Sequence, residues 1–442
     1  MSTSSFIGQL FGGRGDTPHR ATRLALELCH KLLSERGEAS GAALAREALA
    51  ACQGLDDAAR AQFFDALAHE FSPAQDAAVA AADAYRREPT AANLARLQGA
   101  VEPPRQELLR RLNTTPGGTA AMVQMRKVLL RDLARHPEWR VVDRDMLHLL
   151  RSWFNRGFLR LERIDWRTSA LVLEKLIAYE AVHAIQGWND LRRRLQADRR
   201  CFAFFHPSLP DEPLIFIEVA LTGELAAEVG PLLALDAPVV SPGEAKCATF
   251  YSITNCQEGL RGISFGNFLI KQVAEDLQAE FPHLRTFATL SPIPGFRAWL
   301  DSVRERIGRM PQGAAALALL GRLDTPGWQQ ASEQKELREL LTGLCAYYLV
   351  RAKQGDGPLD PVARFHLGNG AALERIDWLG DASERGLSIS AGLMVNYVYR
   401  LKDVERNHER FVKEHLVIAS HDIERLARGC LLAAEDERVE KH

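Results

Sequence analysis

From about residue 19 to residue 185 the apolar residues recur at helical spacing, and after about residue 200 they no longer do. Leu24, Leu28 and Leu32 repeat every four residues with Ala25 and Cys29 beside them, which lays one apolar stripe along a helix. "SPAQDAAVAAADAYRREP" is an alanine-rich helical stretch with Ser72 as candidate N-cap and Pro73 in the first turn. Met122, Met125, Leu129 and Leu133 mark another helix, which Pro137 stops. Met146, Leu149, Leu150, Trp153 and Phe154 mark the next. Amphipathic helices joined by short breaks predict a bundle, and no fixed-period repeat runs through them.

After the change of texture, "CFAFFHPSLPDEPLIFIEVALTG" holds two strand-like runs around a proline-rich turn. "CATFYSIT", "RTFATLSPIPGF" and "LMVNYVYRL" add further strands, with helical stretches between them. The expected fold class is therefore α+β multidomain, an N-terminal all-α helical bundle followed by a C-terminal mixed α/β domain. A chain of 442 residues exceeds one ordinary core, which agrees with two domains. The expected division is a flexible start over residues 1–18, a helical domain over 19–187 and a mixed α/β domain over 188–442.

Charge narrows the partners. Lys and Arg number 55 against 57 Asp and Glu, so no global field draws nucleic acid or an anionic membrane. An anionic ligand must be held by local charge. The cysteines are scattered, with no C-x-x-C pair, which reads as reduced thiols in a cytosolic protein. The opening stretch lacks the apolar core of a signal peptide, and no stretch approaches a membrane span. A cytoplasmic location follows as the expectation.

One stretch calls for a ligand. In "QEGLRGISFGNFLIKQV", Gly259, Gly262 and Gly266 lie between the strand-like "CATFYSIT" and a helix beginning near Gly266. Helix-start N–H groups have no intrahelical partner, and glycines would let a pyrophosphate reach them. Arg261 and Lys271 add local positive charge. The spacing G-x-x-G-x-x-x-G matches neither G-x-G-x-x-G nor the P-loop. A purely structural glycine-rich turn remains the equal alternative.

"LRGISFGNFLI" resembles the acyl-CoA-binding segment of GCN5-related N-acetyltransferases, with Arg261, Gly262 and Gly266 in the matching positions. Together with "HPSLPDEPLIFIEVALTG", "FPHLRTFATLSPIPGF", "DPVARFHLGNGA" and "GLMVNYVYRL" it resembles malonyl-CoA decarboxylase over most of residues 170–401. The resemblance implies conversion of malonyl-CoA to acetyl-CoA and CO2 without metal or other cofactor. It also implies an acetyltransferase-like C-terminal domain and self-association through the helices, as a dimer or tetramer.

The family assigns its catalytic pair to the Ser of S-P-I-P-G-F and the His of F-H-L-x-N-G-A, here Ser291 and His366. Tyr399 corresponds to a tyrosine near the family's site, with Asn396 and Tyr397 as its close neighbours. Arg261, Gly262, Ser264, Gly266 and Asn267 fall on its substrate-binding loop. Some members carry Glu where this chain has Ser264, which leaves open what supports the pair.

Read alone, Ser291 is a turn hydroxyl between a strand and two prolines. His366 is then a buried histidine at an apolar strand end, and Tyr399 a core residue. Glu180 and His183 in "EAVHAI" have the spacing of a di-iron ligand pair, but no second such pair follows. "LRRRLQADRR" reads as a solvated helix face, with contact to the CoA 3′-phosphate as the alternative. A CoA-dependent acyltransferase and a non-catalytic acyl-CoA sensor are the rival functions. Product analysis separates them, since the decarboxylase needs malonyl-CoA alone.

Overall fold

The computed structural model describes residues 17–263, 265, 269–331 and 334–433. The start expected to be flexible therefore lies largely outside the described residues. The chain forms two compact units. The first holds the residues up to Leu159 together with Phe205–Glu212 and Gln257–Phe265. The second holds Arg160–Phe204, Pro213–Cys256 and the chain after Phe265.

Among its described residues the first unit carries α1 (Thr17–Ser34), α2 (Glu38–Gln53), α3 (Asp57–His69), α4 (Gln75–Arg87), α5 (Ala91–Val101), α6 (Pro104–Asn113), α7 (Gly118–Asp132) and α8 (Arg140–Trp153). Local chemistry sets their starts. Asp56 caps α3 by accepting the Ala59 N–H at 2.8 Å, Thr90 caps α5, and Pro104 opens α6 where its missing donor costs nothing. Val142, Met146, Leu149 and Leu150 are buried on one side of α8, at helical spacing. Ser72 is not the cap of α4. Its hydroxyl donates to the Ala68 carbonyl at 2.7 Å, closing the preceding helix, and α4 starts at Gln75.

The second unit is built on a mixed sheet. Its strands are β1 (Arg160–Ile164), β2 (Arg199–Phe205), β3 (Ile215–Thr222), β4 (Cys247–Asn255), β5 (Thr286–Thr289) and β6 (Ser291–Pro292). A two-stranded hairpin of β7 (Lys353–Gln354) and β8 (Gly357–Pro358) stands apart, and β9 (Ala372–Asp377) and β10 (Met394–Val398) complete the sheet. The order is β1-β2-β3-β4-β5-β10-β6, with β9 also on β10. β2 and β3 are buried along nearly their whole length, so they read as continuous apolar runs instead of alternating ones. β1 interrupts the stretch expected to be nearly pure helix. It is short and largely exposed, with no apolar run to announce it.

β4 and β5 run parallel, with Cys247 opposite Thr286 and Phe250 opposite Thr289. There β5 ends, whereas β4 continues to Asn255. Beyond Phe250, that edge of β4 has no strand beside it among the described residues. This parting of two parallel strands positions the site.

Candidate active site

β5 carries Thr289, Leu290 turns into the core, and Ser291 opens β6 opposite Val395 of β10. Pro292 follows, paired with Met394, and its missing donor ends the ladder on that side. Strand alternation puts Thr289 and Ser291 on one face, and the Ser291 hydroxyl donates to Thr289 Oγ1 at 2.8 Å. The same Thr289 oxygen accepts the Tyr397 N–H at 3.2 Å.

His366 stands in the last turn of a helix, Pro361–Gly368, not at the expected strand end. "DPVARFHLG" is a helical sequence on close reading: Asp360 caps it, accepting the Ala363 N–H at 2.8 Å, and Pro361 takes the first turn. Gly370 then leaves with φ +83°, and a Cβ there would meet the Val404 carbonyl oxygen at 2.1 Å. The imidazole is fixed from three sides. Nε2 is 3.0 Å from Ser291 Oγ, Nδ1 is 2.9 Å from the Tyr399 hydroxyl, and the Tyr397 ring stacks on it at 4.6 Å.

Burial dominates the electrostatics. His366 is pushed down to about 3, so the ring is neutral at physiological pH. The Tyr399 phenol, also buried, is raised well above its ordinary value and keeps its proton. A serine hydroxyl has one proton. Since Ser291 gives it to Thr289, its oxygen accepts from His366, which places the imidazole proton on Nε2. Nδ1 is then the acceptor for the Tyr399 hydroxyl. The network assigns one neutral tautomer and one direction.

Ser291 and His366 line a cavity of about 250 Å³ with Ser252, Ile253 and Asn255 from the open edge of β4. Val362 and Phe365 supply apolar wall. An extended chain laid there would meet backbone donors and acceptors on one side and the Ser–His pair at the end.

The sequence family model for the malonyl-CoA decarboxylase C-terminal domain matches residues 157–441, and the model for the N-terminal domain matches 71–154. The mitochondrial malonyl-CoA decarboxylase of Rattus norvegicus is 36% identical over 353 residues, 74% of this chain and 72% of its own. A crystal structure of malonyl-CoA decarboxylase from Rhodopseudomonas palustris is 49% identical with a TM-score of 0.87, covering 91% of this chain and 99% of that one. The Agrobacterium vitis protein of the same name gives 47% and 0.85, with the same coverage. The chain belongs to the malonyl-CoA decarboxylase family.

In this family member the glycine loop answers first to its own fold. A Cβ on Gly259 would lie 2.0 Å from the Val123 carbonyl oxygen of α7, so the close neighbour is the protein's own backbone. Gly262 has φ +81°, a conformation that favours glycine. Arg126, paired with Asp143 at 2.8 Å, donates to the carbonyls of Gly259 and Arg261, each at 2.8 Å. The Arg261 side chain is exposed. Ser264, Gly266 and Asn267 lie outside the described residues. Lys271, read as added positive charge, is held by Glu405 at 2.7 Å.

The arginine run is neither a solvated face nor an exposed phosphate clamp, apart from Arg192. Arg193 pairs bidentately with Asp198, Arg194 with Asp190 and Glu218, Arg199 with Asp198, and Arg200 with Glu280. All four are buried, so from inside they join the helix before β2, β2 itself and β3 to their surroundings. Glu180 likewise has a structural task. Its carboxylate accepts from the hydroxyls of Ser252 at 2.7 Å and Thr254 at 3.0 Å and from the N–H groups of Val182 and His183.

Sequence reasoning missed Thr289 and Asp360 and named Tyr397 only as a neighbour of Tyr399. Thr289 was within reach: a hydroxyl two residues before a strand-borne serine shares its face. Asp360 before Pro361 was a cap signature.

Proposed function

We propose that this chain decarboxylates malonyl-CoA to acetyl-CoA and CO2, with Ser291, His366 and Tyr399 as its catalytic residues. The observation that supports the reading is the buried Tyr399–His366–Ser291 chain of hydrogen bonds ending in the cavity beside the open edge of β4. Loss of CO2 leaves the electrons of the broken C–C bond as a thioester enolate. Backbone donors in a water-poor cavity stabilise the charge on the thioester oxygen. The carbon then takes one proton from the chain of hydrogen bonds, which solvent refills.

We assign the CoA pyrophosphate to Arg261, Gly262, Ser264, Gly266 and Asn267, on the strength of the loop's sequence and the exposed Arg261 side chain. No metal or organic cofactor has a step in this scheme, because fixed dipoles meet the developing charge.

The assembly we assign is a homo-oligomer formed through the helices. α4 buries none of its side chains, and Val79, Leu94 and Val101 of α4 and α5 are exposed. Every cysteine is a buried thiol outside any disulfide, in keeping with a reducing cytoplasm. No helix among the described residues is long and apolar enough to cross a membrane.

Purified protein given malonyl-CoA alone should release acetyl-CoA and CO2, with EDTA present or absent. A requirement for an acceptor amine would make it an acyltransferase, and an intact thioester would make it a sensor. A monomer by light scattering at micromolar concentration would overturn the assembly.

A further inference from the structure

We infer that Thr289 is a positioning residue that sets the direction of the proton chain and thereby makes the Ser291 hydroxyl the group facing the substrate carbon as donor. The inference rests on the decarboxylase reading of this site. Thr289 is fully buried, and its hydroxyl oxygen lies 2.8 Å from Ser291 Oγ. That oxygen is itself held in place. The Tyr397 N–H points at it from 3.2 Å, and the Thr289 carbonyl accepts the Asn396 side-chain amide at 2.9 Å.

The consequence follows from counting protons. Ser291 has one, His366 has one when neutral, and Tyr399 has one. Three hydrogen bonds in series, Tyr399 to His366 to Ser291 to Thr289, use all three in a single sense. If Thr289 could not accept, the Ser291 proton would turn to His366 Nε2, the imidazole proton would move to Nδ1, and Tyr399 would become the acceptor. The chain would run backwards, with the serine proton committed to the imidazole and away from the cavity.

In the observed sense, the serine proton rests on a neutral hydroxyl, from which it swings to the enolate carbon. Burial strengthens the preference, because water cannot satisfy a donor or acceptor left unmet in this place. The Ser291 proton goes to carbon, forming the C–H bond. The oxygen takes the Nε2 proton as Nδ1 takes that of Tyr399, and solvent returns one proton to the phenol.

Three variants and one spectrum test this. Thr289→Val should lower kcat about tenfold or more with KM little changed, the scale of a misdirected acid–base group. Thr289→Ser, which keeps the acceptor, should stay within a few-fold of the wild type. In a Ser291→Ala background Thr289→Val should add no further loss, because its effect passes through the serine hydroxyl. Nitrogen NMR of His366 in the wild type should report the Nε2–H form.

A wild-type imidazole protonated on Nδ1 overturns the inference whatever the variants do. So does a folded Thr289→Val enzyme with wild-type kcat, or one that loses as much again without the serine. A wild type that releases no CO2 from malonyl-CoA defeats the decarboxylase reading instead, and the tautomer measurement still decides the direction.

Discussion

The Tyr399 hydroxyl sits 2.9 Å from His366 Nδ1, where a histidine paired with a serine often meets a carboxylate. A carboxylate there would stabilise an imidazolium. A phenol does not, and burial of both rings keeps each of them neutral. In the proposed mechanism, such a site would hand on a proton without holding a fixed charge near the carbon that becomes anionic. Tyr399 is the group we assign behind the pair, where the sequence has Ser264 in place of the Glu of some family members.

Ser291→Ala and His366→Asn should each lower kcat by roughly 10²-fold, the usual scale for acid–base groups. The double variant should be little worse than the poorer single one, since the two groups work as a unit. Steady-state kinetics checks this, and near-normal turnover in both single variants would return them to the role of core residues.

The pH dependence follows from the depressed histidine. Free histidine titrates near 6.5, and His366 in the fold near 3. Between these values the unfolded chain binds a proton that the folded one refuses, so stability is lost as pH falls below about 6.5. The slope approaches about 1.4 kcal/mol per pH unit. Urea unfolding of wild type and His366→Asn should diverge by about that slope between pH 6.5 and 5, with the wild type losing more. The kcat profile should carry no histidine step near 6.5.

The loop glycines should fail for separate reasons. Gly259→Ala drives a methyl onto the Val123 carbonyl and should cost about 1–3 kcal/mol or more of stability. Gly262→Ala has open space around it, with Leu147 Cδ1 nearest at 3.9 Å, so its cost is the strain of φ +81°. That amounts to about 1–2 kcal/mol. Thermal unfolding should rank Gly259→Ala the worse. An equal or reversed order would mean that α7 yields at Val123.

Arg194→Ala would leave Glu218 and Asp190 facing each other's neighbourhood without their shared cation. Breaking such a buried pair costs about 3–5 kcal/mol. Chemical denaturation should show that loss, and Arg192→Ala, at an exposed position of the same run, should show almost none. A mild Arg194 variant would argue that Glu218 is protonated and in no need of its partner.

The sequence alone carried the helical periodicity of Met146, Leu149 and Leu150, the strand at "CATFYSIT" and the words around Ser291 and His366. Period and propensity are local, so they survive in a single chain. What it hid was mostly burial. Five arginines in ten residues look like a wet surface until Glu218 and Glu280 arrive from distant positions, and Asp198 turns inward from the run itself, to meet them. The helix under His366 was misread because eight residues give too few turns to outvote "FHLGNGA". β1 had too little apolar content to be seen at all.

Gln257–Phe265 folds with the helices, while the strand before it and the helix after it belong to the sheet unit. The gene therefore has no single place at which the two units could be cut apart. A fragment starting at Arg160 would carry Leu260, Ile263 and Phe265, which are buried in the intact chain, with no α7 to receive the segment. Recombination that trades contiguous blocks finds no junction here. The two units must be inherited, translated and repaired as a pair.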